Sequence, residues 1–207
     1  MSGLSFTDVI EYLGTIAFAI SGIRISARKN FDIYGAFVVG FVTAVGGGTT
    51  RDLLIGREVF WLNSPSFLIC TFIGLLIVVV FKKYLIKLDY TFFIFDAIGL
   101  GLFTVVGIVT TLNAGYSMLL AIILGSITGS MGGVMRDVLI NEVPLIFRED
   151  IYATACVFGG IVFAILYYLD VNNILIQILT ILSITLLRII VVKYKLRLPA
   201  FQGKSYN

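Results

Sequence analysis

Residues 40–52 read Gly40-Phe41-Val42-Thr43-Ala44-Val45-Gly46-Gly47-Gly48-Thr49-Thr50-Arg51-Asp52. Eighty-five positions later the chain reads Gly125-Ser126-Ile127-Thr128-Gly129-Ser130-Met131-Gly132-Gly133-Val134-Met135-Arg136-Asp137. Each stretch carries glycines and hydroxyls through an apolar run and closes on Arg-Asp. Consecutive glycines weaken a helix by about 1 kcal/mol each against alanine in water and leave carbonyls without a bulky shield. The pattern predicts a kink or local unwinding in both stretches. Irregular backbone at membrane depth persists only where it is buried in protein or lines a watery cavity. Released carbonyls, with the hydroxyls of Thr43, Thr49, Thr50, Thr128 and Ser130, would suit a weakly held, partly dehydrated cation. The competing reading is packing alone: Gly40 with Ala44, and Gly125 with Gly129, have the four-residue spacing that lets helices approach closely in lipid.

Working outward, the same 85-residue shift aligns Glu11 with Asp96, Gly14 with Gly99, Phe18 with Phe103, Gly22 with Gly107 and Gly74 with Gly159. Between positions 14 and 74, 14 of 61 pairs are identical. The identities concentrate in glycines and charges, whereas chance likeness between apolar helices would match leucine, isoleucine and valine. The chain therefore contains a repeat.

Charge-free stretches at 33–50, 59–81, 97–135, 151–169 and 171–187 delimit the spans, because a charge at mid-bilayer costs about 2.5–3.5 kcal/mol on insertion scales. The stretch 97–135 is too long for one helix and breaks at Asn113-Ala114-Gly115, and an N-terminal segment completes the set. Seven helices are predicted, at 7–25, 33–53, 64–82, 92–112, 117–138, 151–169 and 172–192. Three helices per repeat is an odd number, so the second copy enters the membrane from the opposite side. The predicted fold is an all-α membrane protein, one transmembrane domain over 1–207. Repeat 1 covers about 7–85, repeat 2 about 92–170, an extra helix about 172–192, and a basic tail 193–207.

Composition agrees with this. Of 207 residues 59% are hydrophobic, 13% are charged and none is histidine, with a mean hydropathy of +1.05; a soluble domain carries about a quarter charged residues. Seven spans of roughly 20 residues leave about 67 positions for loops and tails. A cytosolic enzyme, a nucleic-acid-binding module, a disulfide scaffold and histidine chemistry are excluded. Gly99-Leu100-Gly101 with Gly107 lies in an apolar span with no preceding strand, so it is no dinucleotide loop, and no cofactor, metal site or catalytic set is expected. Cys70 and Cys156 read as buried packing thiols. With the N-terminus outside, 13 of the 15 lysines and arginines fall on the cytoplasmic side and only Arg51 and Arg57 outside. This orientation puts the C-terminus in the cytoplasm of a multi-pass inner (plasma) membrane protein. The basic tail is a topology signal or a contact for anionic lipid headgroups.

Arg51-Asp52 and Arg136-Asp137 close the two glycine helices on opposite faces. Adjacent helix residues do not face each other, so each arginine and aspartate is expected to reach a different partner, Glu58 and Glu142 among the candidates. The pairs either pin helix ends or form a charged vestibule or gate. Glu11 and Asp96 lie about a turn inside the apolar region, where an acid is a functional candidate by default; they attract cations at two entrances or bond to the Arg-Asp pairs. Phe60-Trp61 reads as an interfacial aromatic anchor.

This pattern resembles the trimeric intracellular cation channel family, in its prokaryotic branch. The residues that carry the resemblance are Gly46-Gly47-Gly48-Thr49-Thr50-Arg51-Asp52-Leu53-Leu54 with Val59-Phe60-Trp61, and Gly132-Gly133-Val134-Met135-Arg136-Asp137-Val138-Leu139 with Glu142-Val143-Pro144. It implies a homotrimer with one hourglass pore per subunit, lined by the kinked second and fifth helices with help from the first and fourth. The implied pore set is Thr43, Gly46, Gly47, Gly48, Thr49, Thr50, Thr128, Gly129, Ser130, Gly132 and Gly133, with Arg51, Asp52, Arg136, Asp137, Glu11 and Asp96 as the charged mouths. The implied permeant ion is potassium, with sodium as a second. Met131 departs from the pattern by standing where Gly46 stands in the first copy. The rival function is a secondary transporter of a small solute such as glycine, since carriers are also built from inverted repeats.

Overall fold

The computed structural model describes residues 5–82, 90–148 and 151–196. These form α1 (Phe6–Arg28), α2 (Ile33–Leu54), α3 (Ser66–Val80), α4 (Tyr90–Asn113), α5 (Met118–Leu139), α6 (Ala153–Tyr168) and α7 (Asn173–Tyr194), with a 3-10 turn at Leu145–Phe147. No strand occurs among the described residues. Every helix end lies within three residues of its predicted position. Among the described residues five helices are long and apolar enough to cross a bilayer, while α3 and α6, the third of each repeat, are apolar and 15 and 16 residues long. Lys83, Lys87 and the tail from Arg197 onward lie outside the described residues.

The repeat is written into the helix ends. Asp32 caps α2 through Gly35 N, and Ser117, 85 residues on, caps α5 through Leu120 N. Past α1 and α4 the chain turns through positive φ at Asn30 (60°) and Gly115 (84°); past α2 and α5 it does so at Gly56 (68°) and Asn141 (56°). Only glycine and asparagine take this conformation readily.

The centre is built by α1, α2, α4 and α5, with α1 on α2 and α4, and α5 on α4 and α2. Its contacts come in pairs. Gly22 lies against Thr43 and Gly40 as Gly107 lies against Thr128 and Gly125, and Gly40 faces Ile23 as Gly125 faces Ile108. Gly14 receives the Phe103 ring and Gly99 the Phe18 ring, and these two rings stack at 5.2 Å. Each contact recurs 85 residues on, as two inverted repeats about a two-fold axis require. The third helices break the relation. Gly74 of α3 meets Ala19 of α1, but Gly159 of α6 meets Ile184 of α7. The seventh helix covers much of the α4 face that the relation assigns to α6, and α6 packs mainly on α5 and α7, with a smaller contact on α4.

Leucine, isoleucine and phenylalanine cover the outside, for example Leu68, Phe72 and Leu76 on α3, Ile165 on α6 and Leu182 on α7. Arginines lie inside: Arg24, Arg51, Arg136 and Arg188 are each no more than 2% exposed. This inverts the soluble pattern and suits a hydrocarbon surround, where charge must turn inward and be paired. Cys70 and Cys156 are buried and free, as predicted.

Candidate functional site

The glycine stretches meet each other. A Cβ on Gly47 would lie 1.9 Å from the Thr128 carbonyl oxygen, and one on Gly132 would lie 2.2 Å from the Thr43 carbonyl oxygen. Residues 47 and 132, like 43 and 128, are repeat equivalents, so α2 and α5 cross at backbone contact on the axis. The predicted unwinding is absent, for α2 and α5 run as continuous helices through their glycines. The hydroxyls bond back one turn: Thr43 to Val39 O (2.6 Å), Thr49 to Val45 O (2.8 Å), Thr50 to Gly46 O (2.9 Å), Thr128 to Leu124 O (2.6 Å) and Ser130 to Ser126 O (2.7 Å). The physical reason is that a missing side chain here is filled by the facing helix, whose atoms supply the packing that glycine withholds. Gly46 faces Met135, Gly48 faces Phe60, Gly129 faces Thr104 and Gly133 faces Tyr152.

The Arg-Asp pairs also differ from expectation. Arg51 Nε donates to Asp52 Oδ1 at 2.9 Å, and Arg136 Nε donates to Asp137 Oδ1 at 2.9 Å. The rule that adjacent residues diverge holds for Cβ directions; a guanidinium on a three-carbon stem folds back over it. The second oxygen of each aspartate accepts a loop amide, Phe60 N–H at 2.9 Å and Leu145 N–H at 3.0 Å, again 85 residues apart. Each pair thus ties a helix C-terminus to the loop that follows. Glu58 bonds Asn63 instead, and Glu142 pairs with Lys29 and Arg148. The Lys29 ammonium, then Arg148, holds the Glu142 carboxyl below the usual range.

Beyond this shared frame the mouths diverge. Arg136 Nη1 donates to Asp96 Oδ1 and to Ser21 Oγ (3.0 Å), the Tyr152 hydroxyl approaches Asp96 at 3.4 Å, and the guanidinium lies 4.6 Å from the Phe92 ring centroid. Arg136 and Asp96 are wholly buried. At the other mouth Arg51 Nη1 is buried with no hydrogen-bond partner, and no ion pair joins Arg51 to Glu11 among the described residues. Position by position, Ser21, Asp96 and Tyr152 stand where the other repeat has Val106, Glu11 and Phe67.

A cavity opens at each mouth. The Arg51-side cavity, about 710 Å³, is bounded by the start of α1 and the ends of α2 and α4 and is lined by Asp8, Glu11, Asp52 and Glu58 against Arg51 and Arg57. The Arg136-side cavity, about 400 Å³, lies at the end of α1 and start of α4 and is lined by Arg24, Arg28, Lys29 and Arg148 against Asp137 and Glu142. One mouth therefore has two acids in excess and the other two bases. Trp61, expected as an interfacial aromatic anchor, is half-buried: its Nε1 donates to Thr49 Oγ1 at 2.9 Å and its ring meets Phe41 edge-on at 5.2 Å.

Of the sequence-selected residues the structure brings Thr43, Gly47, Thr128 and Gly132 together at the crossing, Glu11, Arg51 and Asp52 around one cavity, and Asp96, Arg136 and Asp137 at the other mouth, while Gly46, Gly48, Gly129 and Gly133 face other neighbours. Sequence reasoning missed Ser21, Tyr152, Phe92 and Arg188. Ser21 and Tyr152 were visible as mismatches in the repeat, and Arg188 as a charge inside the seventh span. Arg188 is 1% exposed, donates to Ile151 O at 2.7 Å and stacks its guanidinium over Tyr152 at 4.8 Å. It joins α7 to the Asp96 network.

Known proteins are similar to this chain in sequence and in fold. A family model described as glycine transporter matches residues 8–83 and again 93–168. The inner membrane protein YadS of Escherichia coli, of the UPF0126 group, is 37% identical over 199 residues, covering 93% of this chain and 94% of that protein. A UPF0126 membrane protein of Vibrio cholerae is 35% identical over 199 residues, 95% of this chain and 83% of that one. Among solved structures, the trimeric intracellular cation channel orthologue from Rhodobacter sphaeroides superposes with a TM-score of 0.87 at 31% identity, covering 93% of this chain and all of that one. A Caenorhabditis elegans channel at 15% identity, TM-score 0.61, covering 92% of this chain and 93% of that one, shares the fold. The chain is a multi-pass membrane protein that belongs to the UPF0126 family and, with it, to the prokaryotic branch of the trimeric intracellular cation channels.

Proposed function

We propose that the protein is a cation channel permeable to potassium, and to sodium as a second ion, working as a homotrimer with one path per subunit between α2 and α5. The observation that supports this most is the crossing of two inverted helices at glycine, with a charged cavity on either side. Neither cavity is lined by a residue of the crossing, so joining them would require α2 and α5 to separate there, where no side chain stands between Gly47 and Thr128 or between Gly132 and Thr43. Backbone contact at Gly47 and Gly132 would close such a path at the crossing. Ion ligands would then be the mouths' carboxylates and the hydroxyls of Thr43, Thr49, Thr50, Thr128 and Ser130 once turned from their own helices, rather than carbonyls freed by unwinding. The basic residues favour the Arg136 mouth as the cytoplasmic one.

The test is recording from purified protein in planar bilayers under potassium and sodium gradients. Unitary currents are expected, with reversal potentials that follow the cation gradient and not chloride. Saturable uptake of a solute into vesicles without unitary currents would replace the channel with the carrier that the glycine transporter description suggests.

A further inference from the structure

We infer that the Lys29–Glu142 ion pair is a clasp that holds the two repeats together at the Arg136 mouth and opposes the separation of α2 from α5. Its bearing on conduction rests on the path proposed between those helices; the clasp itself does not. Lys29 caps the end of α1, with its N–H on Ser26 O at 3.0 Å, and stands just before the start of α2. Glu142 stands just past the end of α5, with its N–H on Asp137 O at 2.8 Å. Both residues are thus fixed to helix ends by backbone bonds. Lys29 Nζ donates to Glu142 Oε1 from repeat 1. From within repeat 2, Arg148 Nη2 donates to Glu142 Oε2 at 3.2 Å, while Arg148 Nε donates to Val143 O at 2.8 Å.

The other mouth has no counterpart. The repeat equivalents of Lys29, Glu142 and Arg148 are Ala114, Arg57 and Asn63. Alanine carries no charge, so this tie between the end of one glycine helix and the start of the other exists at one face only. A second link between the repeats, Arg136 Nη1 to Ser21 Oγ at 3.0 Å, lies at the same mouth. Parting α2 from α5 at this face stretches or breaks the Lys29 tie. The side chains of Lys29 and Glu142 are 40% and 38% exposed, so the pair has the strength of an exposed one. That is enough to change an open-to-closed ratio about two- to fivefold, and weak enough for salt to release it.

Distances between spin labels on Phe31→Cys and Val143→Cys, two exposed positions flanking the pair, test the clasp in the purified full chain without any current; the native Cys70 and Cys156 are buried. One short distance is expected at low salt. Lys29→Gln and Glu142→Gln should each add a longer component, and the double variant should add no more than either single one, since one tie cannot be lost twice. About 1 M potassium chloride should add the same component to the parent. In bilayers at low salt each single variant should raise the open-to-closed ratio about two- to fivefold. Direction separates a clasp from a field effect: the two substitutions change the charge of the mouth by opposite signs, so a field effect moves the ratio in opposite directions. Distances unchanged in both single variants, additive changes in the double variant, or opposite changes in the ratio would overturn the clasp. A parent that passes no current removes the proposed path instead, and the distances alone then decide whether the clasp exists.

Discussion

Gly47→Ala is expected to destabilise the solubilised protein by about 3 kcal/mol or more, while Gly46→Ala, one residue earlier, stays within about 1 kcal/mol of the parent. Both substitutions gain about 1 kcal/mol of helix propensity, so propensity does not separate them. Contact does. The new methyl at 47 falls 1.9 Å from the Thr128 carbonyl oxygen, which belongs to the backbone of a continuous helix. It can be accommodated only by moving α5 as a body. At 46 the obstacle is the Met135 sulfur at 2.5 Å, the end of a flexible thioether that has other rotamers. Gly132→Ala should repeat the Gly47 result through the Thr43 carbonyl. The measurement is thermal unfolding in detergent, read by fluorescence-detected size exclusion. Equal loss at 46 and 47 would mean that the crossing is looser than the contacts state. If the Gly47 variant survives with its oligomer intact, α2 and α5 will have been forced apart, and its bilayer currents then report whether that separation opens the path.

Asp96→Asn should cost about 1.5–3 kcal/mol and Glu11→Gln no more than about 1, although the two acids occupy the same position of their repeats. Asp96 is the acceptor on which a wholly buried Arg136 and the Tyr152 hydroxyl converge. Its amide leaves Arg136 paired with Asp137 but replaces the charged acceptor of Nη1 by a neutral one in a wholly buried site, so a charge-assisted hydrogen bond is weakened. Glu11 borders the Arg51-side cavity and holds no ion pair among the described residues, so its amide leaves no stranded charge. The readout is again thermal unfolding, with both variants made in one background. Matching losses would mean that the two mouths are energetically alike, against the inequality drawn from their hydrogen bonds.

The sequence made the frame legible because lipid punishes charge. Charge-free runs marked the spans, and a fixed 85-residue offset in glycines and Arg-Asp marked the repeat, its inversion and the helices that meet. The local geometry of the site was less legible. The glycines read as breaks because propensity is a property of one helix, whereas Gly47 and Gly132 are set by the helix that fills them. Arg51 and Asp52 read as divergent because Cβ spacing was counted and side-chain reach was not. Packing of α6 on α7 was invisible because the third helices match across the repeat only at Gly74 and Gly159, and nothing in that match tells which neighbour each glycine meets. Most of the information missed lay where the copies disagree, at Ser21 against Val106, Asp96 against Glu11 and Tyr152 against Phe67.

That disagreement has an electrical consequence. Two inverted copies of one unit would make a path that is the same from either end, and such a path passes equal current under voltages of opposite sign. This chain instead places four acids with two bases at one opening and four bases with two acids at the other. Cations concentrate at the first opening and are thinned at the second. Rectification is the expected result: in symmetric salt, current carried from the Arg51 opening toward the Arg136 opening should exceed the reverse, and the ratio should fall toward one as ionic strength screens the fixed charge.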